Sequence, residues 1–317
     1  MAPALLVAAF IADLILGDPR RLPHPVVGIG RLISTLEKLL YDRIRLQRLG
    51  GALLTAMTLL VTGLLAWGAL ALAGWLHPAV GVLTAVWLAW TCLAARELHR
   101  QSAAVVSRLT HGDLEGSRHA LSMIVGRDTA ELDEQGILRA CIETVAENSS
   151  DGIVAPLFYL GLGGPVAGLL YKAASTMDSM VGYKHERYCN FGTAAARLDD
   201  LLNWLPARLT ALLMVIGCVP LGLAAGNAWR IARRDARKHA SPNAGFPEAA
   251  AAGALEVQLG GPASYFGVWQ EKPTFGEAGR MLTIDDYRRM VRLMYVVAVL
   301  ALGLACGLGL LAGGGWR

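Results

Sequence analysis

The sequence predicts an all-α protein, a polytopic bundle of membrane-spanning helices carrying amphipathic cytoplasmic helices. Three observations lead there. Apolar residues make up 54% of the chain and charged residues only 17%, with a mean hydropathy of +0.44, whereas soluble domains carry about 25% charged residues. Several apolar runs approach or exceed the roughly 20 residues that a helix needs to cross a hydrocarbon layer. The 29 Lys and Arg residues fall in blocks between those runs. This hydrophobicity excludes a disordered chain. Five scattered cysteines without a C-x-x-C pair exclude a disulfide framework and a cysteine zinc site. A net charge of +4 with no basic stripe argues against nucleic acid and suits anionic lipid or anionic ligands.

Residues 3–16 are apolar, but the run is short and contains Asp13, so it reads as a short span or a buried helix. No basic region precedes it, as a cleavable signal would require. Residues 51–76 form a full span, and 78–95 a second one joined to it through His77-Pro78. That turn lacks Lys and Arg and should face away from the cytoplasm, whereas the flanking segments 18–50 and 96–151 are basic and should lie inside. Within 96–151, Ile137, Leu138, Cys141, Ile142 and Val145 recur at amphipathic-helix spacing. Residues 152–171 are uncharged yet contain five glycines, Pro156 and Pro165. They read as a broken or re-entrant helix lining a protein-enclosed cavity. A re-entrant path keeps 172–208 cytoplasmic; a full crossing would place it outside. A span at 209–226 is bent by Gly217 and Pro220. The polar segment 227–292 opens with a basic helix, passes through Ser241-Pro-Asn-Ala-Gly-Phe-Pro and enters a small-residue helix from Glu248. A last span lies near 293–313. The whole, 1–317, reads as a single membrane-embedded domain.

Glu143, Glu147 and Asp151 stand at i, i+4 and i+8, on one face of a helix. Like charges so placed repel. Mg²⁺, which binds through one or two carboxylates plus substrate phosphates, would resolve the conflict; pairing with Arg and Lys, or simple solvation at the membrane surface, would also do so. Residues 172–208 gather Asp178, Lys184, His185, Glu186, Arg187, Asn190, Arg197, Asp199, Asp200, Asn203 and Arg208. This alternation of charge suits phosphate and metal together, and also suits an ordinary interfacial loop with aromatic anchors. Near the N-terminus, Asp18, Arg20 and His24 lie in a proline-braced turn and are candidates for substrate contact, or helix-ending and membrane-edge residues. There is no G-x-x-x-x-G-K-[ST] phosphate loop, no G-x-S-x-G elbow, and His185-Glu186 does not complete H-E-x-x-H. The histidines other than His24 and His185 are isolated and read as structural.

Leu16-Gly-Asp-Pro-Arg, Leu22-Pro-His-Pro, Glu147-Asn-Ser-Ser-Asp-Gly-Ile-Val-Ala-Pro, Thr176-Met-Asp-Ser-Met-Val-Gly-Tyr-Lys, Glu186-Arg-Tyr, Asn190-Phe-Gly, Ala195-Ala-Arg-Leu-Asp-Asp, Trp204-Leu-Pro-Ala-Arg-Leu-Thr and Ser241-Pro-Asn-Ala-Gly occur in this order. Together they resemble the CobD/CbiB family, the adenosylcobinamide-phosphate synthases of cobalamin biosynthesis, from about residue 10 to 300. Ser149 stands where Thr is common, and His185 where Asn is common. The resemblance implies a multi-pass enzyme of the bacterial inner membrane with its active site on the cytoplasmic side. It implies an ATP-dependent ligase joining a propionate carboxylate of adenosylcobyric acid to (R)-1-amino-2-propanol O-2-phosphate, or to ethanolamine phosphate or aminopropanol. ATP and Mg²⁺ are the implied cofactors, and cobalt enters only within the corrinoid. Association with other membrane enzymes of the pathway, or with a second copy, is compatible with it.

Under that resemblance Glu143, Glu147 and Asp151 would hold Mg²⁺ and ATP. Lys184, Arg187 and Arg197 would neutralise phosphates or the substrate carboxylate, with Glu186 and Arg208 nearby as binding groups. Asp178, Asp199 or Asp200 would act as second metal ligand or base, and Asn148 and Asn190 would orient substrates. Asp18, Arg20 and His24 would contact the amine phosphate or corrin amides, and Ser241 and Asn243 would close the site. A membrane transporter or corrinoid carrier is the competing class, since polar groups beside glycine-broken spans also mark transport pathways. Against it, the polar residues concentrate in long loops and no inverted repeat is visible. A membrane alcohol phosphotransferase would need a denser Asp motif.

Overall fold

A computed structural model describes residues 1–18, 24–182 and 187–311. It is an all-α polytopic membrane protein with very little sheet. α1 (Pro3–Leu16) and α2 (Pro25–Leu40) each start on a proline, whose fixed φ suits the first helical turn and whose missing N–H costs nothing there. α3 (Gln47–Leu76) and α4 (Pro78–Trp90) form the expected hairpin, where His77 Nδ1 accepts the Ala79 N–H at 3.1 Å and caps α4. The helix of the 78–95 span ends at Trp90, and α5 (Ala95–Thr110) resumes after a short turn. α6 (Leu114–Ser122) and α7 (Glu134–Ser149) are both capped by aspartates: Asp113 accepts from Gly116 N–H and Asp133 from Gly136 N–H. The apolar set from Ile137 to Val145 is buried, as its spacing predicts.

A π-helical turn, Ser150–Val154, leads from α7 into α8 (Ala155–Val181). α8 is broken inside the 152–171 stretch at Gly163 and Gly164. Gly164 adopts φ 65°, which a side chain would oppose, and Pro165 withholds a donor from the ladder. α9 (Thr193–Leu221) starts well before the expected 209 and stops at Leu221 rather than 226, because Gly222 turns the chain at φ 64°. α10 (Ala225–Asp235) is the basic helix, and α11 (Gly245–Leu255) the small-residue one. Two short antiparallel pairs follow, β1 (Leu259–Gly260) with β4 (Thr274–Phe275) and β2 (Ala263–Tyr265) with β3 (Val268–Gln270). The strands are too short to show alternation, and glycine turns at Gly260, Gly261, Gly267 and Gly276, all at positive φ, create them. α12 (Ile284–Leu311) is the last helix.

Among the described residues, five helical stretches are long and apolar enough to cross a membrane: Gln47–Leu76, Pro78–Thr110, Glu134–Val181, Thr193–Leu221 and Ile284–Leu311. α1 is apolar but shorter. The most apolar part of Glu134–Val181 is 61% buried against 39% for each of the others, so it is the most protein-enclosed.

The chain forms two compact units. The first contains Met1–Ala94, Ala155–Asn203 and Leu302–Arg317. There α3 turns Leu54, Thr58, Ala66, Leu70 and Ala73 inward and leaves Leu60, Leu64, Leu65, Trp67, Leu72 and Trp75 exposed. An exposed apolar face of this kind suits contact with lipid. At Gly51 a Cβ would run into the Phe191 carbonyl, so only glycine permits that approach. The second unit contains Ala95–Val154 and Trp204–Ala301. Its centre is α11, whose residues from Ala249 to Leu255 are all buried, packed on α10 and α7.

Candidate functional site

In the second unit, the helical phase of α7 puts Glu143 and Glu147 one turn apart, and the π-helical turn continues to Asp151. Glu143 is 3% exposed. One carboxylate oxygen accepts from Arg127 Nη2 at 2.5 Å, and the other from the Gly260 N–H at 2.5 Å. The turn that puts Gly260 at φ 76° lies where β1 ends, so strand pairing fixes that amide. Burial works against the Arg127 charge, but Glu143, with smaller help from Tyr265 and Glu248, holds it above its usual range.

Glu248 is buried on α11. Burial, then Glu147 and then Glu143 push its carboxyl well above the usual range, against the opposing pull of Arg127 and Lys272. Lys272 bonds the Tyr265 hydroxyl. His239 feels both Lys272 and Glu143, and burial lowers its pKa. Its Nδ1 lies 2.9 Å from the Ser241 N–H. Arg127, His239, Glu248 and Lys272 escape the sequence reading. The available signal is Glu248 itself, a carboxylate in an otherwise apolar helix, which burial penalises unless it has partners.

The same unit gathers Arg208, Ser241 and Asn243. Arg208 lies 4.3 Å from both the Trp204 and Phe246 ring centroids and donates to the Trp204 carbonyl at 2.6 Å and to Asn243 Oδ1 at 3.4 Å. Ser241 Oγ accepts the Asn243 and Ala244 N–H groups, folding the loop ahead of α11. Asn148 instead donates back to Thr144 O of its own helix.

In the first unit Asp178, Asp199 and Asp200 lie within electrostatic reach of one another, with Lys172 beside them. Tyr171 OH donates to Asn203 Oδ1 at 2.8 Å, and Asn203 Nδ2 donates to Asp199 Oδ2 at 3.0 Å. Asp199 Oδ1 is buried without a hydrogen-bond partner among the described residues. Arg187 and Asn190 engage α2 and α3: Arg187 pairs with Glu37 at 2.9 Å, and Asn190 Oδ1 accepts from Arg48 at 3.3 Å. Arg197 is exposed on α9. Asp18 Oδ1 stands 3.5 Å from His24 Nε2. Arg20, Lys184 and Glu186 lie outside the described residues.

No three His, Cys, Asp or Glu side chains among the described residues converge on one point as a self-sufficient metal cage. Mg²⁺ does not require one, because substrate phosphates and water complete its shell. Glu147 and Asp151 are half-buried and offer hard oxygen donors, so the residues present fit such an ion. Glu143, already committed to Arg127 and Gly260, fits a supporting place beside it.

A family model described as CobD/Cbib protein matches residues 6–294. The chain belongs to the CobD/CbiB family. Among its relatives, the cobalamin biosynthesis protein CobD of Geobacter metallireducens is 53% identical over 294 residues, spanning 93% of this chain and 92% of the relative. The protein of that name from Pelobacter propionicus is 53% identical over 301 residues, 94% and 92% of the two chains. The cobalamin biosynthesis protein CbiB of Salmonella typhi is 47% identical over 307 residues, 95% and 96%. No solved structure matches the chain. The match begins ahead of Asp18 and His24 and ends beyond Glu248 and Lys272, so both acidic groups fall inside the family's span.

Proposed function

We propose that this protein serves cobalamin biosynthesis as a membrane-bound acid–amine ligase. It joins adenosylcobyric acid to aminopropanol phosphate, or to ethanolamine phosphate, and consumes ATP at the cytoplasmic side of the bacterial inner membrane. The observation that carries this reading is the group of buried Glu143 and Glu248 with half-buried Arg127, Glu147 and Lys272, where cations and carboxylates are interleaved. Family membership supports the pathway, and the five apolar stretches support a bilayer setting.

The chemistry asks for such a group. A carboxylate repels nucleophiles, so its oxygen first attacks the γ-phosphorus of ATP, breaking the bond to ADP and giving an acyl phosphate. The ammonium form of the amine first gives one proton to a base; the freed nitrogen then attacks the acyl carbon, phosphate leaves, and the second proton lost by nitrogen passes to that phosphate. Bound Mg²⁺ would offset charge on the phosphates. Glu147 and Asp151 would hold that ion, while Arg127, Lys272 and Arg208 would offer positive charge toward the phosphoryl oxygens. Asp178, Asp199 and Asp200 suit the ammonium form of the amine and the acceptance of its proton.

The test is purified protein in nanodiscs with adenosylcobyric acid, aminopropanol phosphate, ATP and Mg²⁺, followed by mass spectrometry with ADP assayed in parallel. An ATP-dependent gain of the aminopropyl-phosphate mass is expected, and substituting ethanolamine phosphate identifies the preferred amine. Corrinoid binding by folded protein without conversion under either amine would overturn the ligase in favour of a carrier.

A further inference from the structure

The second unit contains a cavity of about 1060 Å³ between the 122–139 segment and the β2–β3 hairpin. That exceeds the roughly 300–1,000 Å³ typical of small-molecule pockets. Its wall is largely apolar, with Leu132 and Pro262 among its lining, and it is reached at one side by Arg127, the partner of Glu143. Two of its acidic residues are spent on structure. Asp128 accepts from Ser264 Oγ at 2.5 Å and from the Gly267 N–H at 2.8 Å, and Asp133 caps α7. Arg139 is different. It lines the cavity, pairs with no carboxylate among the described residues, and its Nε is buried without an acceptor. A buried guanidinium donor left unmade is costly, which points to an acceptor supplied from outside the chain.

The mouth of the cavity carries a second signal. Phe266 sits at the hairpin tip with φ 54°, and it is 69% exposed; Trp269 on β3 is 66% exposed. A bulky residue seldom enters the left-handed region, and such strain gathers at ligand clamps. Here the two Asp128 bonds, to Ser264 before the tip and Gly267 after it, hold the strained turn. Strained backbone therefore keeps apolar rings in water beside an unpartnered guanidinium.

We propose that this cavity seats a large, flat ligand bearing a carboxylate, with Arg139 gripping the carboxylate and Phe266 and Trp269 covering the ring face. The assignment rests on the ligase reading, under which the ligand is the corrinoid acid, brought next to Arg127 and the acidic group. A nucleotide triphosphate fits less well, since its charge asks for several uncommitted cations and its bulk would leave much of the volume empty.

The probes are dicyanocobyric acid, dicyanocobinamide (the same ring with that carboxylate converted to an amide) and a non-hydrolysable ATP analogue. Affinities for nanodisc protein are read by equilibrium dialysis, and by quenching of tryptophan emission in wild type against Trp269→Phe. Arg139→Ala should weaken the acid about tenfold or more, as expected for a lost charged hydrogen bond, with dicyanocobinamide and the ATP analogue unaffected. Arg139→Lys should recover part of the loss, and Phe266→Ala, at an exposed tip that threatens no core, should weaken both corrinoids. Unchanged acid affinity in a folded Arg139→Ala protein, or loss confined to the ATP analogue, overturns the cavity assignment and leaves the ligase reading standing. Failure of folded wild type to bind either corrinoid overturns the ligase reading as well.

Discussion

The two acidic groups of this protein are built on opposite terms. Around Glu143 the second unit supplies an arginine and a strand-end amide, and burial pushes the neighbouring carboxyl, Glu248, well above the usual range against the pull of Arg127 and Lys272. Around Asp199 the first unit supplies one side-chain amide and leaves the other oxygen bare, with two further aspartates and Lys172 nearby. A carboxylate with both oxygens filled is serving the fold. One that keeps a bare buried oxygen stays available to a ligand. Within the second unit, burial separates Glu143, which is 3% exposed, from Glu147 and Asp151, which are half-buried.

The largest expected effect probes that separation. Glu147→Lys or Asp151→Lys should reduce ligase turnover by about 10³-fold or more, the scale seen when groups that stabilise transition-state charge are removed, with normal insertion into the membrane. Product formation by mass spectrometry checks it. Activity near wild type in either variant would end the role of that residue in metal and phosphate binding.

Next comes Arg127→Ala, which strands a buried carboxylate. Because Arg127 keeps 20% of its side chain exposed, the cost should sit near the low end for broken buried pairs, about 3 kcal/mol. The apparent thermal midpoint in nanodiscs reads it. Arg127→Met with Glu143→Gln should restore part of the loss, because the double change leaves no unpaired charge. A single variant as stable as wild type would mean that Glu143 finds other partners.

How much of this could be read from residues alone depends on sequence distance. The hairpin at His77-Pro78 and the break within 152–171 at Gly163-Gly164-Pro165 are local events, and local rules anticipate them. The 143, 147, 151 spacing is helical and equally visible. Arg127, Glu248, His239 and Lys272 come together only because α7, α11 and the β1–β4 pair pack on one another, and no periodicity encodes that. Arg187 shows the reverse case: it looks like a phosphate ligand in sequence, yet Glu37, 150 residues away, pairs with it in the fold. The strands were invisible for a different reason, since two or three residues between glycine turns carry no pattern.

A smaller effect belongs to a compensated carboxylate remote from catalysis. Asp235 is fully buried; burial alone would raise its pKa, but bonds from Arg234, Lys238 and the Gly276 N–H hold it well below the usual range. The sign follows from linkage: with the folded value depressed, the unfolded chain binds more protons in acid, so stability rises with pH there. The contribution should be complete above the ordinary aspartate pKa of about 3.9 and fade as pH falls below it. Asp235→Asn should lower the neutral-pH midpoint by the equivalent of about 1–2 kcal/mol and flatten the acid limb. An acid limb as steep as wild type in that variant would assign the titration elsewhere.

The smallest expected shift, and the most discriminating, is Asp199→Asn. The new amide oxygen can still accept from Asn203, and the new N–H₂ would face Asp178 and Asp200, exchanging repulsion for attraction. Stability should therefore hold or rise, by no more than about 1 kcal/mol, where the matching change at Glu143 should lower it. Under the ligase reading the same substitution should raise KM for the amine, because a carboxylate that suits an ammonium has become neutral. A midpoint drop as large as that of Arg127→Ala would show that Asp199 is as structurally committed as Glu143, and the contrast between the two units would collapse. A stable protein with unchanged amine KM would keep the structural half of the contrast and remove Asp199 from amine recognition.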